Sequence, residues 1–198
     1  MPIDVFLALV TFACVMAFTP GPNNIMLAAS GVNFGFARTV PHMVGVTIGF
    51  VVLMLSCGVG LGLIFAAVPV LQLALKIAGT LYMLWLAYRV ATAHQGRDDD
   101  GGRVRPFTFW QAAAFQWINP KAVVAVLSAL ALYVRPGQEK QDLPMMLVVF
   151  GLVTAGSVAT WAGFGVALRR FLRDPAHARL FNLAMALLLV ASIVPMVV

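Results

Sequence analysis

The chain has 198 residues, of which 62% are hydrophobic and only 10% are charged. About a quarter of the residues in a typical soluble domain are charged, so this composition excludes a soluble globular protein and indicates an integral membrane protein. The net charge of +6 does not indicate nucleic-acid binding, because most of the Lys and Arg residues fall in short loops and form no basic face with interleaved aromatic residues.

Six apolar segments, each long enough to cross a bilayer, predict an all-α integral membrane protein with six transmembrane helices in a single domain over residues 1–198. In chain order they cover about residues 3–36, 41–66, 69–91, 108–134, 143–168 and 180–197. The first segment is expected to be retained, because it lacks the basic residues that open a cleaved signal peptide.

The first segment is interrupted by Pro20-Gly21-Pro22-Asn23-Asn24, hereafter the first break. Each proline lacks an N–H and clashes with the preceding turn, and the two asparagines are suitable N-caps for a helix that restarts there. A helix N-terminus attracts a carboxylate, and the carbonyl groups freed before the break suit an ammonium group. Since a broken helix in lipid needs protein or a water-lined cavity around it, the first break is predicted to line an amino-acid site.

The length of the first segment also requires a change of direction. A continuous helix of about 34 residues would be about 51 Å long, whereas the hydrocarbon core is about 30 Å thick. We therefore expect the chain to bend at the first break and the segment to end between Gly31 and Gly35.

The second segment carries two pairs of glycines at a spacing of four, Gly45/Gly49 and Gly58/Gly62. Small residues at this spacing let two membrane helices approach closely, so both pairs predict helix packing. His42 is predicted to begin this helix, where a surface or capping position is favoured over a role in proton transfer.

The basic residues predict how the chain is oriented. A polar linker at about residues 93–107 contains Asp98-Asp99-Asp100, which are expected to be solvated. With the N-terminus outside, nine Lys and Arg residues fall on the cytoplasmic side and two on the external side. The excess of positive charge on cytoplasmic loops therefore favours an N-out, C-out topology.

The fourth segment is interrupted by Asn119-Pro120-Lys121, hereafter the second break. Lys121 lies near the middle of its predicted helix, where insertion of a charge costs about 2.5–3.5 kcal/mol, so a functional role is expected. No acidic residue is an obvious partner, which leaves a substrate carboxylate, the carbonyl groups of the first break, or no partner if Lys121 is deprotonated, and the first two are favoured. Trp117, together with Gln116, is a candidate for lining the same cavity.

The two breaks suggest an internal repeat. Repeat 1 is predicted at about 1–92 and repeat 2 at about 108–198, and Val46-Thr47-Ile48-Gly49 resembles Val153-Thr154-Ala155-Gly156. Three helices per repeat give the two halves opposite orientations in the bilayer. Matched interruptions in inverted repeats point to a transporter site near the midplane.

These residues resemble the LysE/RhtB superfamily of bacterial amino-acid exporters. The resemblance is carried, in order, by Thr19–Asn24, by Gly35-Phe36 with the Gly45/Gly49-Phe50 helix, and by Phe115–Ala122. On that basis the substrate-binding residues are Pro20, Gly21, Pro22, Asn23, Asn24, Asn119, Pro120 and Lys121.

The resemblance implies a secondary transporter and no enzymatic activity, cofactor or metal site. It implies export of small neutral amino acids or their derivatives across the bacterial inner membrane, driven by exchange with protons. The pattern is most similar to the branch that exports cysteine and O-acetylserine, homoserine and threonine. The resemblance implies that exporters of basic amino acids in this superfamily carry acidic residues within their membrane helices. No such residue is evident here, which argues against a lysine or arginine substrate.

Two other functions fit a six-helix membrane protein. A thiol-redox conduit would place cysteines symmetrically at the two breaks, whereas Cys14 and Cys57 both lie in the first half and away from either break. They are predicted to be packing residues, with no disulfide framework. A passive channel would transport independently of the proton gradient. The expected partners are an amino acid, the lipid bilayer and protons, without nucleic acid, and a homodimer is left open.

Overall fold

A computed structural model describes residues 1–61, 69–92 and 106–191 of the chain. The predicted aspartate linker at 98–100, the second glycine of the Gly58/Gly62 pair and the end of the sixth segment lie outside these residues. In the described part the helices are α1 (Ile3–Phe18), α2 (Pro22–Phe34), α3 (Phe36–Ser56), α4 (Pro69–Ala91), α5 (Phe109–Ile118), α6 (Pro120–Tyr133), α7 (Glu139–Leu168) and α8 (Pro175–Ala191). A π-helical turn, Cys57–Leu61, follows α3, and a 3-10 turn, Phe171–Arg173, precedes α8.

Both predicted interruptions are sharp bends. The axis turns by 54° between α1 and α2 and by 65° between α5 and α6. Within the described residues, two spans, Phe36–Gly60 and Glu139–Leu168, have the length and apolarity to cross a membrane, and each bent pair passes the same test when taken as one span. The all-helical membrane architecture is therefore confirmed, while the six-span inverted repeat stays a prediction.

The second segment begins earlier than predicted, at Phe36 instead of residue 41. Gly35 has φ 80°, a conformation that favours glycine, and it ends α2 and starts α3 without an intervening loop. The helix therefore continues through Pro41, which only lacks the N–H that would bond one carbonyl of the preceding turn. The last segment also begins earlier, because Pro175 occupies the first helical position, where its missing donor costs nothing.

Small residues set the closest helix contacts. α2 packs along α7, where a Cβ atom added to Gly31 would overlap the carbonyl of Ala162, and one added to Gly165 would overlap that of Ala28. α3 packs along α5, and a Cβ atom at Gly49 would lie 2.6 Å from Ala113 Cα. The packing role predicted for the Gly45/Gly49 pair is thus confirmed.

The opposite face of α3 is apolar and exposed. Val44, Ile48, Val52 and Leu55 are each more than 40% exposed and follow one another at helical spacing. A continuous apolar stripe of this kind is unusual on a soluble monomer, so it is suited to contact with lipid.

A half-buried ion pair, with its carboxylate inside the protein, stabilises the start of α7. Asp142 is fully buried and accepts hydrogen bonds from Arg135 through its backbone N at 3.1 Å, Nε at 2.9 Å and Nη2 at 2.8 Å. The side-chain hydrogen bond to Asp142 raises the pKa of Arg135 above its ordinary value. This pair orders the connection between α6 and α7.

Candidate functional site

The first break has a different cap from the one predicted. Gly21 is the N-cap of α2 in an extended conformation, Pro22 is the first helical residue, and no side chain caps the helix. Proline suits this position because it lacks the N–H that would be unpaired there. The prediction that Asn23 and Asn24 are N-caps is therefore wrong, and both side chains make other contacts.

Asn24 satisfies carbonyl groups at the end of α1. Its Nδ2 donates to Ala17 O and to Thr19 O, both at 2.8 Å. Ser157 of α7 donates from Oγ to the same Ala17 carbonyl at 2.7 Å. Carbonyls at a helix C-terminus lack intrahelical donors, and in lipid they need partners, so these side chains make the break possible.

Lys121 joins the second break to the first. Its Nζ donates to Thr19 O at 2.6 Å, to Thr19 Oγ1 at 2.8 Å and to Pro20 O at 3.2 Å. An ammonium group has three N–H donors, so all three are used. Of the partners predicted for Lys121, the carbonyl groups of the first break are the ones observed here.

The second break is capped as its sequence suggests. Asn119 is the N-cap of α6, and its Oδ1 accepts a hydrogen bond from the Lys121 backbone N at 3.2 Å. Pro120 occupies the first position of α6, as Pro22 does in α2. Both breaks thus restart their helix on a proline.

A second cross-link joins the same regions. Asn23 Nδ2 donates to Gln116 Oε1 at 2.8 Å, and Gln116 Nε2 donates back to Asn23 Oδ1 at 3.2 Å. Gln116 is fully buried and also donates to Ala112 O at 2.8 Å. In the sequence, only the position of Gln116, one turn before Asn119, indicated that it could reach the first break.

A cavity lies between the two breaks, with walls from α1, α2, α3, α6 and α7. Six of the predicted site residues line it: Gly21, Pro22, Asn23, Asn24, Asn119 and Lys121. Pro20 contributes a carbonyl to Lys121, Pro120 begins α6, and Trp117 packs against a core cluster that includes Leu9 and Val126. The prediction that Trp117 lines the cavity is therefore wrong.

The remainder of the cavity is mostly apolar. Phe50 and Phe150 stack with ring centroids 5.7 Å apart and form part of the wall with Val46 and Val158. Among the described residues that line the cavity, Lys121 is the one charged side chain. Such a site offers one positive group, several amides and hydroxyls, and room for apolar atoms.

His42 is placed differently from its prediction. It is 1% exposed, lies inside α3 and stacks on Phe107 with centroids 5.3 Å apart. Neither ring nitrogen has a hydrogen-bond partner within the described ranges 1–61, 69–92 and 106–191. The expected surface or capping position is wrong, because α3 starts six residues before His42 and Phe107, just before α5, stacks on its ring.

The two cysteines are free, and neither lines the cavity. Cys57 is buried in the core cluster, in agreement with a packing role. The residues needed for a thiol-redox conduit are therefore absent from the described part of the site.

Comparison with known proteins identifies relatives over most of the chain. The sequence model of the family described as LysE type translocator matches residues 14–193. The cysteine/O-acetylserine efflux protein of Escherichia coli strain K12 is 32% identical over 185 residues, which cover 91% of each chain. The protein of the same description in Shigella flexneri has the same identity and coverage. No solved structure matches.

Proposed function

Because the chain belongs to the LysE family of translocators, we propose that it is a secondary transporter that exports small neutral amino acids or their derivatives. The relatives are named for efflux of cysteine and O-acetylserine, and both compounds are small and carry no net side-chain charge. The exporter would act from the cytoplasm across the bacterial inner membrane. None of these relatives supports the thiol-redox alternative.

The contact between Lys121 and the first break is the observation that carries this proposal. An ammonium group within the membrane-spanning part of a protein is costly, and among the described residues the half-buried Lys121 has only neutral oxygens and no carboxylate as partners. The carboxylate of an amino acid would supply the missing negative charge inside a largely apolar cavity. The proposed substrate site therefore has Lys121 at its centre, with Gly21, Pro22, Asn23, Asn24 and Asn119 around it.

Transport requires that this site open alternately to each side. The two bends lie at matching points of the proposed inverted repeats, and this symmetry would let a midplane site open to either side of the membrane in an N-out, C-out topology. Export against a concentration gradient needs an energy source, for which we propose exchange with protons.

The experiment that tests the proposal is Lys121→Ala, scored by extracellular accumulation of each member of a panel of amino acids in an overexpressing strain. Efflux should be lost while the amount of protein in the membrane is unchanged. Lys140→Ala is the matched control, because Lys140 is exposed at the start of α7, away from the cavity, and should export as the wild type does. Normal export by the Lys121 variant would refute the substrate-site role.

The energy source is tested separately. A protonophore should abolish wild-type export from energised vesicles. Export that persists after the proton gradient collapses would identify a passive channel instead.

A further inference from the structure

Three residues of the cavity wall keep a polar atom that makes no hydrogen bond to any described residue. They are Asn24, whose Oδ1 is free, Asn119, whose Nδ2 is free, and Thr154, whose hydroxyl is free. Asn119 is 2% exposed and Thr154 is 8% exposed. Among described residues, only His42 has unpartnered polar atoms that are fully sealed from the surroundings. The three free atoms are therefore not sealed inside the protein, and the residues that carry them line the cavity.

The orientation of the two amides follows from the hydrogen bonds they do make. Asn24 donates twice through Nδ2, so its remaining atom is an acceptor. Asn119 accepts from Lys121 N through Oδ1, so its remaining group is a donor. The donor thus lies at the N-cap of α6, two residues before Lys121, and the acceptor lies in the first turn of α2.

Thr154 differs from three other threonines that lie within described helices. Thr11, Thr47 and Thr160 each donate to the carbonyl four residues earlier, at 2.8, 3.0 and 2.8 Å. Thr47, at the matching position of the first repeat, donates to Met43 O in this way and does not line the cavity. The Thr154 hydroxyl makes no such bond and lies among apolar wall residues such as Phe150 and Val158. A hydroxyl in apolar surroundings is costly unless a partner binds it.

We propose that Thr154 determines specificity by hydrogen bonding to a polar group on the side chain of the exported amino acid. This inference rests on the proposed function. The substrate carboxylate accepts a hydrogen bond from Asn119 Nδ2, with the positive charge of Lys121 beside it, and the substrate ammonium group donates to Asn24 Oδ1. The substrate class is therefore an α-amino acid with a short side chain that carries one hydroxyl, thiol or ester group.

The test compares substrates that differ by one hydroxyl: serine with alanine, and homoserine with 2-aminobutyrate. The purified full-length protein is reconstituted in liposomes, and transport is measured for Thr154→Val, Thr154→Ser and the control Thr47→Val. Thr154→Val should lower transport of serine about tenfold relative to alanine, as expected for one lost hydrogen bond. Thr154→Ser should restore the preference, and Thr47→Val should leave it unchanged.

Two results would overturn the assignment. If Thr154→Val leaves the serine-to-alanine ratio as in the wild type, the hydroxyl does not contact the substrate. If Thr154→Val and Thr154→Ser lower transport of all four amino acids equally, the residue has a structural role. Wild-type liposomes that transport none of the panel would instead refute the proposed function itself, which separates the two failures.

Discussion

The amide pair between Asn23 and Gln116 gives the most direct test of how the two breaks are held together. Two hydrogen bonds join these side chains, at 2.8 and 3.2 Å. Hydrogen bonds within membrane proteins contribute about 0.6 kcal/mol each, so the pair should contribute about 1.2 kcal/mol. Since 1.4 kcal/mol corresponds to a factor of ten, the coupling should change the unfolding equilibrium about sevenfold.

A double-mutant cycle measures this coupling. From hydrogen bonds alone, Asn23→Ala should cost about 1.2 kcal/mol and Gln116→Ala about 1.8 kcal/mol, because the glutamine also donates to Ala112 O. The double variant should then be no less stable than Gln116→Ala. The free energy of unfolding is measured in mixed micelles of mild detergent and dodecyl sulfate, with helicity as the signal.

A cycle between Gln116 and Asn33 is the matched control. Asn33 lies on α2, as Asn23 does, but its side chain is exposed and donates a hydrogen bond to Ala29 O within that helix. Its coupling to Gln116 should be zero within error. An Asn23–Gln116 coupling that is also zero would show that the amide pair does not join the breaks.

Two further predictions concern packing and charge. Gly165→Ala should lower the free energy of unfolding by about 1–3 kcal/mol in the same assay, because the new Cβ atom meets the Ala28 carbonyl. Gly163→Ala is the control and should not destabilise the protein, because nothing lies within 4 Å of its Cβ position. Equal stability of the two variants would contradict the close approach of α2 and α7. Asp142→Asn should cost about 1–3 kcal/mol while efflux persists, since the Arg135 pair lies away from the cavity. The exposed Glu139→Gln keeps an acceptor for Gly137 N and should cost less, because it loses only a charge in the first turn of α7. Loss of efflux by Asp142→Asn at unchanged stability would contradict this.

The sequence predicted the positions of both breaks because proline acts locally. Pro22 and Pro120 suit the first position of a new helix, and each follows a residue that favours a break, Gly21 or Asn119, so both interruptions were expected from the local sequence. The contact of Lys121 with the first break was predicted for a similar reason: a deep charge must find partners, and the sequence offered few.

Other features depended on neighbours that a single sequence does not reveal. The roles of Asn24 and Ser157 depend on the position of α1 carbonyls relative to α2 and α7. Trp117 was placed in the cavity from its distance along the chain to Asn119, but a residue two positions away points to a different face of the helix. His42 was placed near a surface because the helix was expected to start at the neighbouring proline.

The close contact between α2 and α7 limits which parts of the protein can move separately. Gly31 and Gly165 bring the two backbones together at two points, and any sliding would force side chains into carbonyl groups. We therefore expect α2 and α7 to travel as one rigid unit during transport. The flexible joint would then be the short extended stretch from Thr19 to Gly21, the same segment whose carbonyls Lys121 holds.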